Sequence, residues 1–193
     1  LKAAMFLQRA ESTMRKPQEM GFTLIELLLV VAIIGIIAAI AVPGLLRARM
    51  ASNEASAIAS IRVINSSQNA YMSSCGHGFY ATKLTILADP IPAGAAFISP
   101  ELGVSDTVTK SGYELTMAGG SDALNAPING CNPSGVAADL ASSYWISNQP
   151  LSPQTGSRWF WSNSLGTIYS DPADVFDGET AGSQRPSVGA PIQ

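Results

Sequence analysis

The residue best placed to do chemistry in this 193-residue chain is Glu26. From Phe22 to Leu46 there are 25 residues, and Glu26 is the only one charged at neutral pH. A carboxylate inside hydrocarbon costs about 2.5–3.5 kcal/mol on insertion scales, so it calls for a cationic partner or a place near the interface. Three other groups could do chemistry. Cys75 and Cys131 are the only cysteines and can form a disulfide. Asp171, Asp174, Asp177 and Glu179 are closely spaced hard oxygen donors beside Gly178, the kind that calcium prefers, although the pattern is not that of an EF-hand. His77 is the sole histidine, with no second ligand pair at metal spacing and no nucleophile motif near it, so a loop position is expected. No catalytic constellation emerges, and the chain reads as a non-enzyme.

The element that must carry Glu26 is a membrane-length helix. At about 1.5 Å per residue, roughly 20 apolar residues cover a bilayer's hydrocarbon. Arg15 and Lys16 precede the apolar run, and basic flanks favour the cytoplasmic side, so residues 1–21 are expected inside and the bulk of the chain outside. Beyond Leu46 the pattern becomes striped. Ala51, Ala55, Ile58, Ile61, Ile64 and Tyr71 recur mostly at three- and four-residue intervals, while Arg47, Arg49, Asn53, Glu54 and Arg62 supply polar surface. One helix from Phe22 to about Ser74 is expected, its first half apolar all round and its second half amphipathic. Gly35 and Pro43 weaken it, since proline deletes a helical hydrogen bond and clashes one turn back, near Ala39.

From Cys75 onward the chain is rich in Gly, Pro, Ser and Asn. Residues 113–117, 144–147 and 159–162 alternate apolar and polar, and 167–170 follow after Asn163-Ser164-Leu165-Gly166, which predicts an antiparallel sheet ending in a hairpin. The stripe on residues 51–72 is the natural cover for one sheet face. The fold class is α+β. Its predicted segments are a leader over 1–21, an apolar half-helix over 22–46 and an amphipathic half-helix over 47–74. A connecting loop over 75–111, a sheet over 112–170 and an exposed Pro-rich tail over 171–193 complete the chain. If residues 75–131 face an oxidising compartment, Cys75 and Cys131 are expected to pair, closing a loop worth about 4 kcal/mol on the chain-entropy model.

The stretch Met20-Gly21-Phe22-Thr23-Leu24-Ile25-Glu26-Leu27, with Gly35 and Pro43 downstream, resembles the N-terminus of type IV pilins and of the pseudopilins of type II secretion. The likeness is strong over about Met14 to Tyr71. It implies a ladle-shaped subunit whose precursor is cut between Gly21 and Phe22 by a prepilin peptidase, which then methylates the Phe22 amine. It also implies that the Glu26 carboxylate pairs with that amine on a neighbouring subunit, two charges costly alone becoming tolerable together. The stretch between Gly35 and Pro43 would be the part that loses helical order on assembly. Implied partners are identical and related pilin subunits, the peptidase, an inner-membrane assembly platform and, before assembly, membrane lipid. The implied location is the bacterial inner membrane with a periplasmic C-terminal domain, then an extracellular filament or a periplasmic pseudopilus. Major pseudopilins carry a calcium-binding acidic loop near the C-terminus, which residues 171–179 resemble loosely. Type IV pilins use their cysteine pair to tie down the C-terminal region, and the spacing of Cys75 and Cys131 departs from that.

Competing readings are an ordinary signal peptide cut after Ala39-Ile40-Ala41, a type II secretion pseudopilin or minor pilin that primes assembly, and a single-span envelope binding module. Against the signal peptide stand a 20-residue apolar run before the cut, Glu26 within it, and Pro43 almost at the cut. Met5 and Met14 are both candidate starts, and a start at Met14 would make residues 1–13 dispensable. Direct nucleic-acid binding is not expected. Removing residues 1–21 takes four basic and two acidic residues from 11 and 14, leaving a net charge of −5 and no basic stripe for phosphates.

Overall fold

The computed structural model describes residues 21–92, 94–176 and 178–192. The chain divides into two units, Leu1–Val42 and Pro43–Gln193, and one helix, α1 (Leu24–Ser74), has residues in both. In the first unit every described side chain, from Gly21 to Val42, is exposed. The predicted leader over 1–20 lies outside the described residues. The helix begins at Leu24 rather than Phe22, because Thr23 and Glu26 close a capping arrangement that fixes its first turn.

In the second unit, α1 presents Glu54, Ala57, Ile61, Ile64, Gln68 and Tyr71 inward at alternating three- and four-residue steps, one face of a helix. This corrects the expected stripe. Ile61, Ile64 and Tyr71 are buried, Ile58 is half-buried, and Ala51 and Ala55 are exposed. Glu54, expected on the surface, is buried. The inner face is decided by which polar side chains find partners on the sheet as well as by which residues are apolar.

After α1 come β1 (Tyr80–Ala81), a short helix α2 (Leu84–Ala88), β2 (Thr107–Lys110) and β3 (Tyr113–Gly119). Then follow β4 (Leu140–Ala141), β5 (Tyr144–Pro150), β6 (Trp159–Asn163), β7 (Ile168–Asp171) and β8 (Ala190–Ile192). The main sheet has six antiparallel strands in the order β2-β3-β5-β6-β7-β8, and β1 pairs with β4 in a separate ribbon. The expected strands at 113, 144, 159 and 167 correspond to β3, β5, β6 and β7, with the last two paired as a hairpin through Trp161 and Tyr169.

Two stretches differ from expectation. The presumed loop over 75–111 supplies Leu84, Ile86, Leu87, Ile98 and Leu102 to the core beneath α1. The presumed exposed tail over 171–193 ends in β8, which pairs with β7, and buries Phe176 against Trp161 and Tyr169. The cause is legible in β6. Trp159, Phe160 and Trp161 put aromatic surface on both faces, so both faces need cover. Helix α1 covers the face carrying Phe160, and the chain after β7 covers the other.

Buried polar side chains fasten helix to sheet. Gln68 meets Ala81 as a strand would, accepting its N–H at 3.0 Å and donating to its carbonyl at 2.6 Å. Asn65 donates to the Ser162 hydroxyl at 2.9 Å and accepts from the Tyr144 hydroxyl at 3.0 Å. At the helix end Tyr71 donates to Asn132 at 3.1 Å, beside the disulfide that joins Cys75 to Cys131 with their Cα atoms 4.8 Å apart. Burial and the nearby Asp89 charge push the Tyr71 phenol up to about 12, so it stays a donor at physiological pH.

Candidate functional site

Gly21, Phe22 and Thr23 precede the helix outside any regular element, and all three are exposed. Phe22 is 76% exposed, and among the described residues nothing beyond the chain neighbours lies within 4 Å of where a Gly21 Cβ would stand. The Gly21–Phe22 peptide bond is therefore open to a protease cleft, and glycine offers no side chain to obstruct it.

Four residues after the bond sits Glu26. Its Oε2 accepts the Thr23 hydroxyl at 2.8 Å and the Thr23 N–H at 3.2 Å, while the Glu26 N–H donates to the Thr23 hydroxyl at 3.2 Å. Thr-x-x-Glu in this reciprocal geometry is a capping box, which satisfies amides the first turn leaves without partners. The sequence Thr23-Leu24-Ile25-Glu26 is itself the signal for it, and reading Glu26 only as an intermolecular partner overlooks it. One oxygen thus holds the helix end, and among the described residues the other, Oε1, takes no hydrogen bond. A carboxylate in the first turn also lies where the helix dipole favours negative charge.

Around Glu26 the exposed surface is apolar. Leu24, Ile25, Leu27, Leu28 and Leu29 are each more than half exposed, and the pattern continues through Ile40 and Leu46. Covering a side chain of this size contributes about 1.5–3 kcal/mol, so the segment has a strong drive into lipid or against other helices. Gly35 and Pro43 lie within α1.

Of the other sequence candidates, Cys75 and Cys131 are joined in a disulfide. Asp171 Oδ1 accepts the Ala173 N–H at 3.0 Å, and Glu179 Oε1 accepts the Ser187 N–H at 3.2 Å. Asp174 is exposed, and Asp177 lies outside the described residues. Among the described residues no three His, Cys, Asp or Glu side chains cluster to hold a metal ion. His77 sits in the turn after α1 with φ of 52°, a loop position as expected.

Residues 21–42 match the family model described as the prokaryotic N-terminal methylation motif. The type IV major pilin protein PilA of Myxococcus xanthus (strain DK1622) is 42% identical over 57 residues, which cover 30% of this chain and 26% of that protein. The match thus spans about a quarter of the relative's length. A methylation motif over the exposed N-terminal stretch and capped helix, followed by an antiparallel sheet packed on the second half of that helix, makes the N-terminal segment of this chain similar to that of a type IV major pilin.

Proposed function

We propose that this chain is a structural subunit of a type IV pilus, serving adhesion, twitching motility or DNA uptake. In this reading it is inserted in the inner membrane with its sheet domain in the periplasm. Prepilin peptidase cuts between Gly21 and Phe22 and the Phe22 amine is methylated. The subunit then moves from lipid into the filament through the assembly platform. The observation that carries the reading is Glu26, capped by Thr23 through one oxygen and open through the other, on an otherwise apolar exposed helix.

Cleavage creates a cation where the precursor had none. A free α-amine titrates at about 7.7–8.0, and methylation keeps it basic. Within a bundle of apolar helices, the second Glu26 oxygen then has a charge partner in the Phe22 amine of a neighbour. The pairing sets the axial register between subunits, because any other stagger leaves two uncompensated charges in a greasy core. Lateral burial of the leucines and isoleucines supplies affinity, and the ion pair supplies alignment.

Fibres sheared from the surface of the native cell test this. The expected bulk component is this chain, beginning at N-methylated Phe22 by mass spectrometry. An uncut chain, or its absence from sheared fibres while it remains in the envelope fraction, would defeat the proposal.

A further inference from the structure

All three tryptophans of the chain lie on the face of the main sheet turned away from α1. Trp161 forms the floor there. It is fully buried, stacked on Phe176 with ring centroids 6.3 Å apart, and its indole N–H donates to the Glu179 carbonyl at 3.1 Å. The segment after β7 is thereby fixed as one wall. Trp145 and Trp159 stand to either side and are only partly buried. Register places Trp145 opposite Asn163 on β6, four residues from Trp159, so the two indoles are separated by roughly 13 Å along the strands.

Between them runs a groove of about 330 Å³, walled by Trp145, Trp159 and Phe176 and edged by Ser147, Gln149 and Thr180. A second groove of about 390 Å³ shares Trp159 and continues past Leu151, Pro153 and Pro172. The groove combines aromatic walls with polar side chains along its length, apolar flat surfaces beside hydrogen-bonding groups. Among the described residues neither Trp145 nor Trp159 uses its indole N–H in a hydrogen bond, so both can donate. Gln149 spends its amide N–H on Glu114 at 2.6 Å and leaves its carbonyl free to accept.

We propose that this groove binds an uncharged oligosaccharide lying along the sheet, with sugar rings stacked on Trp145 and Trp159. The argument rests on three features together. The ligand must be long, because the two flat surfaces are too far apart for one ring. It must offer both apolar faces and many hydroxyls, because the walls are indole and the edges are hydroxyl, amide and free indole N–H. It must lack negative charge, because Asp174 and Glu179 are among the residues that line the same groove. The site does not depend on filament assembly, so its failure leaves the pilus reading untouched.

The test uses the full-length chain in a detergent that carries no sugar headgroup. Cellohexaose, maltohexaose and N-acetylchitohexaose are titrated separately while tryptophan emission and heat are recorded, with hexagalacturonic acid as the acidic control and a proline-rich decapeptide as the peptide control. At least one neutral hexasaccharide is expected to saturate below about 1 mM, with the matching disaccharide at least about tenfold weaker. Trp145→Ala and Trp159→Ala should each weaken it by about tenfold or more. Ser147→Phe, which fills the groove and leaves both indoles in place, should abolish binding even if a tryptophan variant misfolds. No binding by any neutral hexasaccharide, binding indifferent to these substitutions, or preferential binding of the acidic sugar or the peptide would each overturn the proposal.

Discussion

The Thr23 hydroxyl and the Glu26 carboxylate lie 2.8 Å apart across the first turn of α1, the hydroxyl donating to Oε2 and accepting the Glu26 N–H. One side chain closes its own helix, and in the proposed assembly it would also offer charge to another subunit. Glu26→Gln separates the two roles, because glutamine serves in a capping box but carries no charge. The expected outcome is normal helix content in micelles and a loss of most filament yield. Full filament yield from this variant would show that capping, not charge, is what assembly uses.

Thr23→Val removes the hydroxyl and keeps the volume. Losing an N-cap of this kind costs about 0.5–2 kcal/mol, so the first turn should fray and the carboxylate lose its fixed direction. Filament yield should fall, though less than for Glu26→Gln, and Thr23→Ser should restore it. Fibre yield and amide exchange of residues 24–27 check both parts.

Glu54 and Arg158 tie α1 to the sheet. Glu54 Oε2 accepts Arg158 Nε at 2.9 Å and a terminal guanidinium nitrogen at 2.8 Å, and Oε1 accepts the Ser157 N–H at 3.0 Å. Burial raises the carboxyl's pKa, but the Ser157 and Arg158 hydrogen bonds and the guanidinium charge together outweigh it, and the net direction is downward. Arg158→Met should cost about 1–3 kcal/mol, near the lower end because the Arg158 side chain is 42% exposed. Replacing both residues by Met should recover part of that loss, since no buried charge is left alone. Denaturant midpoints of the four proteins in the cycle measure it.

The first half of the chain was readable because its signals are local. Gly21, Phe22 and Glu26 within a long apolar run need no tertiary partner to be recognised, and β3 and β5 announce themselves by alternation. The Cys75–Cys131 pair and the helix stripe over one sheet face were also legible, but the finer partnerships across the fold were not. Gln68 is fully buried because the Ala81 backbone answers both ends of its amide, and no periodicity marks that. The stretch after β7 reads as a polar tail until Trp161 is seen to need a cover. Aromatics at both parities in Trp159-Phe160-Trp161 were the available clue. Asp171 and Glu179 have the spacing of cation ligands, and that spacing does not reveal that one oxygen of each accepts a backbone N–H, from Ala173 and from Ser187.

The second cover is latched by Asp122. Its carboxylate accepts the Ser183 hydroxyl, the Gly182 N–H at 2.8 Å, the Ser143 hydroxyl at 3.0 Å and the Ser183 N–H at 3.2 Å. These bonds, the Ser183 hydroxyl foremost, hold its pKa down at about 2 against partial burial. A depressed folded pKa means stability that is complete above the unfolded value near 4 and lost as pH falls toward 2. Between pH 5 and pH 2 the wild type should therefore lose stability more steeply than Asp122→Asn, which no longer titrates there. Parallel denaturation curves for the two proteins across that range would count against the latch.

Pro43 is the last residue whose role can be separated by substitution. It lies inside α1, has no N–H to give the Ala39 carbonyl, and costs an isolated helix about 3 kcal/mol. Its retention in a helix this long makes sense if residues 35–43 extend when subunits pack or when the filament is pulled, with Gly35 softening the other end of the stretch. Pro43→Ala should then stabilise the helix of the isolated subunit, slow amide exchange around Ala39, and give filaments that elongate less under load. Unchanged extensibility together with slowed exchange would show that the proline bends the helix without serving as its point of yield.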